Sequence, residues 1–183
     1  EWSNNPWNKA RGGPLDNPKQ LFTDPRAIAG QDRVRRYLIA RYADHPAIMG
    51  WKLWSEQDLT EGKDALPAWH EQAAARWHAL DTYHHPVTSH WCGNFTHAKP
   101  EVVQHLDYVC IDAYHGWDEK DRYRAIADLL RDSTLDPTRG LSRFAKPGLV
   151  TEFGGNWDGA PSDDLMASDH AVGPWVAAMT GHA

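Results

Sequence analysis

Cysteine is nearly absent. Cys92 and Cys110 are the whole complement of a 183-residue chain. Two cysteines do not make a disulfide framework, so they are read as thiols. Basic residues are short as well: 19 Lys and Arg face 25 Asp and Glu, a net charge of -6, which withdraws support for a nucleic-acid partner. No apolar run is long enough to cross a membrane. The chain begins without Met and shows no signal peptide, so its localisation is unknown from sequence, with an extracellular or periplasmic address left open. Internal repeats and low-complexity segments are missing too. What remains is globular in composition, 41% hydrophobic and 24% charged, and the length suits a single domain over 1–183. Tryptophan is the exception to this scarcity. Ten of them exceed what a core of this size needs, and Trp serves both as core filling and as a flat platform for sugar rings.

Two stretches repeat one design. Ile48 to Asp58 is a brief apolar run ending in Glu56, bounded upstream by Asp44-His45-Pro46. Strand alternation places Ile48, Gly50, Lys52, Trp54 and Glu56 on one face. Lys146 to Gly155 is a second brief strand, ending in Glu152-Phe153-Gly154-Gly155. A carboxylate at a strand end combines a rigid support with an open loop. Two such carboxylates are the minimum equipment for glycoside hydrolysis: one protonates the leaving oxygen, the other attacks the anomeric carbon or activates water.

In chain order, residues 1–25 read as loop, with Trp2 and Trp7 packing over the first helix or lining a cleft. Thr23-Asp24-Pro25 starts a helix that runs to about Asp44. Ile28, Val34, Leu38, Ile39 and Tyr42 form its expected buried stripe, and the arginines at 33, 35, 36 and 41 are expected in solvent. A second helix covers Leu66 to Tyr83, a strand Pro86 to Trp91, a short helix Lys99 to Leu106 and a strand Asp107 to Tyr114. In that last strand Tyr108, Cys110, Asp112 and Tyr114 share a face. Tyr123 to Arg131 is helical, Leu135 to Ala145 irregular, and Asp163 to Met179 a final helix. Strand and helix alternate throughout, which predicts an α/β fold with a parallel sheet and crossover helices.

These segments together resemble the catalytic barrel of clan A glycoside hydrolases, of the family 5 cellulase and mannanase type. His45-Pro46 through Ser55-Glu56 resembles the family's fourth strand with its acid/base Glu. Pro86-Val87-Thr88 resembles the fifth strand, and Asp107 through Tyr114 the sixth. Lys146-Pro147 through Glu152-Phe153-Gly154 resembles the seventh, with its nucleophile, and Ala171 through Gly181 the helix before the eighth. The resemblance implies a partial (β/α)8 TIM barrel covering about strands 4 to 7 with their helices. A whole barrel needs about 250 residues, so the chain is expected to be an internal piece whose open barrel edges allow self-association.

The activity this implies is retaining hydrolysis of β-glycosidic bonds in a poly- or oligosaccharide, with no cofactor. Glu56 is the acid/base and Glu152 the nucleophile. Tyr114 is expected to hold Glu152, and His90 to contact sugar or Glu56. Trp91 and Trp157 are candidate sugar platforms, and Asp58 is the alternative proton donor. Two positions depart from the family. Ser55 stands where Asn binds the hydroxyl next to the anomeric carbon, and Asp112 stands where His often precedes the Tyr. These departures keep open a non-catalytic carbohydrate-binding barrel or an inactive remnant. Eleven histidines raise a metal-dependent hydrolase. However, His70, His78 and His105 lie on helices and His84-His85 at a helix end, so most cannot meet at one rim, and no metal ligand set is assigned.

Overall fold

The computed structural model describes residues 2–92, 97–116, 121–155 and 163–182. Among the described residues, five α-helices, α1 (Pro25–Tyr42), α2 (Leu66–Leu80), α3 (Pro100–Val103), α4 (Arg122–Leu135) and α5 (Asp163–Met179), alternate with short strands. The strands are β1 (Trp51–Lys52), β2 (Val87–Thr88), β3 (His90–Trp91), β4 (Val109–Tyr114) and β5 (Gly148–Gly154). Among the described residues every strand pairing is parallel: β1 with β2, β3 with β4, and β4 with β5. Only Ser89 separates β2 from β3. Leu53 N donates to Thr88 O at 2.7 Å and His90 N to Trp54 O at 3.1 Å, which carries the ladder past that gap. The result is four parallel tracks in chain order, each reached through a helical crossover, as parallel neighbours require. No helix among the described residues is long and apolar enough to cross a membrane.

Helix α1 starts where its cap dictates. Asp24 accepts from Arg26 N at 2.8 Å with Pro25 at the first helical position. The buried stripe differs from the one expected. Val34 is 56% and Tyr42 42% exposed, whereas Arg35 is buried. The reason is tertiary. Arg35 pairs with Asp32 and lies over the Trp77 ring at 5.7 Å, and Trp7 lies against Gly30 so closely that a Cβ there would sit 2.2 Å from its ring. The inward face is therefore set by the N-terminal loop and α2, which helical periodicity cannot see.

The run leading to Glu56 is also less regular than alternation predicted. Ile48 packs on the Trp51–Trp77 cluster, and Trp54 packs edge-on against Phe22 and Trp69 at 4.8 and 5.7 Å. Ladder bonds run on only to Trp54, two residues past the end of β1, and Glu56 adopts a left-handed backbone of φ 49° and ψ 48°. The five residues expected on one face do not share it.

Alternation holds in β4. Val109 and Ile111 enter the main helix-side core with Trp69, Trp91 and Leu106, and Ala113 packs with Ile126 and Leu130. Tyr108, Cys110, Asp112 and Tyr114 therefore point the other way, toward the inner face of the sheet. Both cysteines are free thiols.

Beneath this layer His70 of α2 is fully buried, joined to Leu66 O and Ser89 Oγ at 2.8 Å each. A carbonyl can only accept, so Nδ1–H donates to Leu66 and the Ser89 hydroxyl donates to Nε2. Burial pushes the His70 pKa down from 6.5 to about 4. The folded state thus resists a proton that the unfolded chain accepts below about 6.5. Stability should fall as the pH drops from 6.5 toward 4, with this residue contributing a slope of up to about 1.4 kcal/mol per pH unit. Urea midpoints at pH 7 and pH 5 compared with those of His70→Gln measure it: the variant should lose much of that dependence.

Candidate active site

The site gathers at the carboxyl ends of the strands, where open α/β sheets place their ligands. Its best-defined acid is Glu152. The β4–β5 register runs Cys110↔Leu149 and Ile111↔Val150, then jumps to Asp112↔Glu152, leaving Thr151 as an extra residue. This bulge decides which way Glu152 points. Without it Thr151 would face Asp112, and Glu152 would face Ala113, on the helix side. With it Glu152 joins Asp112 on the inner face, and Tyr114 Oη donates to Glu152 Oε2 at 2.5 Å. Burial and the Glu152 carboxylate push the Tyr114 pKa up, so the phenol keeps its proton for that hydrogen bond.

Behind Glu152 lies a buried pair. His90 Nε2 meets Asp112 Oδ1 at 2.5 Å, with His90 fully buried and Asp112 1% exposed. On the other side of the ring, Nδ1 lies 3.1 Å from Ser55 Oγ. Thr151 Oγ1 donates to Ile111 O at 3.2 Å and reaches Asp112 Oδ1 at 3.4 Å. Burial pushes the Asp112 pKa up, opposed by the hydrogen bond and charge of His90.

Glu56 follows Ser55 directly and is exposed. Its charge and that of Glu152 both raise Tyr114 and Cys92, so the two glutamates bear on the same end of the sheet. Cys92 is held protonated: burial first, then Asp58, Glu56, Asp112 and Glu152 push it up to about 11. That leaves it a poor nucleophile.

Asp58 is tied into the neighbouring loop. It accepts from Cys92 N and lies against His97 Nδ1, at 2.8 Å each. Trp91 is 2% exposed and sits in the main apolar core. A sugar platform needs an open ring face, so the structure corrects that expectation. Strand alternation explains the placement, since His90 and Trp91 are neighbours and must face opposite sides. Trp157 lies outside the described residues.

The structure thus brings together Ser55, His90, Asp112, Tyr114, Glu152 and, at the same rim, Glu56. Sequence reasoning missed Thr151 and Cys92, and nothing in the sequence marks the bulge. Among the described residues, one group offers donor atoms for a metal: His90, Asp112 and Glu152, within 4.8 Å of one another. His90 Nε2 is already engaged by Asp112 Oδ1 and Tyr114 holds one oxygen of Glu152, whereas Asp112 Oδ2 is buried without a partner.

No family model matches the chain, and no curated protein matches it. Solved structures do. β-Glucuronidase from Bifidobacterium dentium, complexed with coumarin-3-O-glucuronide, superposes with a TM-score of 0.65 at 23% identity, over 85% of this chain and 26% of that one. β-Glucuronidase from Ruminococcus gnavus gives 0.59 at 19% identity, over 84% and 28%. The same enzyme with uronic deoxynojirimycin gives 0.58 at 20%, over 84% and 29%. The expected family 5 membership draws no support from these matches. The chain spans under a third of the length of the solved structures it matches, and what it shares with them is the fold: an α/β arrangement of parallel strands that matches a fragment of a glycosidase barrel.

Proposed function

We propose that the chain carries the catalytic end of a retaining β-glycosidase, with Glu152 as nucleophile and Glu56 as acid/base. One observation carries the reading. A bulge turns Glu152 onto the inner face of the sheet, and the Tyr114 hydroxyl fixes one of its oxygens. The other oxygen is then left for an anomeric carbon. In this reading the four parallel tracks correspond to strands 4 to 7 of a TIM barrel, whose active sites lie at this end. The likeness to β-glucuronidases, which act on glycosides, supports the reaction class.

In the reaction Glu152 attacks the anomeric carbon while Glu56 gives its proton to the departing oxygen. Glu56 then takes a proton from water as the glycosyl–Glu152 ester is hydrolysed. A retaining site requires the two carboxyl groups about 5–5.5 Å apart. The exposed setting of Glu56, at a loop, suits an acid that must meet both leaving group and water.

A mechanism-based label separates this from a carbohydrate binder. Incubation with activated 2-fluoro β-glycosides should add one glycosyl mass to the peptide holding Glu152. The adduct should be missing in Glu152→Ala. Labelling elsewhere, or none with any glycoside tried, would sink the assignment.

A further inference from the structure

Asp112 and Glu152 stand opposite each other in the β4–β5 register, two carboxylates on one face of the sheet. Among the described residues no lysine or arginine forms an ion pair with either of them or with Glu56. The group at hand that can carry positive charge is His90, whose Nε2 meets Asp112 Oδ1 at 2.5 Å. That contact leaves Asp112 Oδ2 buried without a hydrogen-bond partner, on a residue 1% exposed. A buried carboxylate oxygen left unpaired is costly and calls for a partner. Burial and then the charge of Glu152 push the Asp112 pKa up, so what the place lacks is positive charge. Glu152 keeps a free oxygen as well. Tyr114 Oη holds Oε2, and among the described residues nothing hydrogen-bonds to Oε1. One donor atom from each of His90, Asp112 and Glu152 lies within 4.8 Å of the others.

We propose that His90, Asp112 and Glu152 bind a divalent transition-metal ion, zinc above all, and that the bound ion silences Glu152. One imidazole nitrogen and two carboxylate oxygens make a ligand set for zinc, whereas magnesium and calcium take oxygen alone. Donors in a tetrahedral zinc site lie roughly 3.4 Å apart, given bonds of about 2.1 Å. His90 and Asp112 are packed in place, so the exposed Glu152 supplies the closing movement. The ion takes the place of the Nε2 proton. That proton passes to solvent, and Nδ1 takes one up and donates it to Ser55 Oγ, 3.1 Å away, so the ring stays neutral. A ligating histidine ordinarily donates its other N–H to such a partner. Tyr114 keeps its bond to Oε2 while the ion occupies Oε1. With that oxygen on the metal, Glu152 has nothing left to attack an anomeric carbon. The silencing rests on the glycosidase reading above; the binding does not.

The first arm titrates the whole chain, stripped of metal by a chelator that is then removed, with zinc chloride in a calorimeter. Glu152→Gln and Asp112→Asn should each weaken binding at least tenfold, since even the loss of a partner behind a ligand costs about 10–100-fold. His97→Gln, which removes another imidazole set against a carboxylate, should leave the affinity unchanged. NMR with 15N-labelled histidine, assigned against His90→Gln, should show zinc on Nε2 of His90 and the proton on Nδ1. Glu152 is exposed, so its variant remains informative if Asp112→Asn does not fold. Unchanged affinity in Glu152→Gln means an adventitious ion only and overturns the site, as does no binding below about 1 mM zinc. The second arm follows turnover of an activated β-glycoside, which should fall in step with zinc occupancy and return when chelator is added. Turnover that persists or rises in the saturated chain overturns the silencing. A chain that binds zinc at this site, yet turns over no glycoside with chelator present, overturns the glycosidase reading instead, and the metal site stands alone.

Discussion

Glu152→Gln is expected to lower glycoside turnover by roughly 10,000-fold or more, as removal of a nucleophile does in other covalent mechanisms. The amide keeps the size of the side chain and can still meet Tyr114, but it cannot displace a leaving group. Glu152 is exposed and makes no apolar contact in the core clusters. Its replacement should therefore leave the unfolding free energy, read from urea melts, within about 0.5 kcal/mol of the parent. The pairing of these outcomes matters, because loss of activity together with loss of stability would say only that the fold was damaged. Retained turnover at more than a few per cent would remove Glu152 from the chemistry, and the Glu56–Glu152 assignment with it.

Trp91→Ala should cost about 3–5 kcal/mol of stability, the usual range for truncating a buried Trp. Trp91 is among the largest fully buried side chains and lies in the cluster that joins Trp69, Val102, Leu106 and Ile111. Denaturant melts should show a lower midpoint with an unchanged slope. The competing assignment, a sugar platform, makes the opposite forecast: near-parent stability and weakened carbohydrate binding. The measurement decides directly between a structural and a recognition role for this residue.

Much of the architecture was legible because it depends on local chemistry. The Asp24-Pro25 start of α1, the alternation in β4 and the order of strands and helices follow from caps, side-chain period and turn residues. The site was legible in part. Glu152 and Tyr114 meet, and His90 and Asp112 were both singled out, but their mutual contact was not foreseen. Parallel registers bring His90 opposite Cys110, and the offset that brings it to Asp112 instead depends on side-chain reach. The misreadings share a cause. Helical period places Val34 and Tyr42 inward and Arg35 outward, yet which face is covered depends on Trp7 and Trp77, distant in sequence. Residue type makes Trp91 look like a platform, whereas its strand parity, opposite to His90, turns it away from the rim. The bulge at Thr151 has no composition of its own, so the fact that aims Glu152 could be learned only from the register.

The left-handed backbone at Glu56 has a consequence for the history of such a chain. That conformation costs an ordinary L-residue about 1 kcal/mol or more, and glycine adopts it freely. Drift under selection for persistence alone would carry this position toward Gly, or toward Asn, the other residue at ease there. A lineage that has stopped using the carboxylate should record its retirement first at position 56, as a substitution that makes the protein sturdier. On the proposed assignment of Glu56 as acid/base, glutamate at that position among close homologues would mark the lineages that keep the acid.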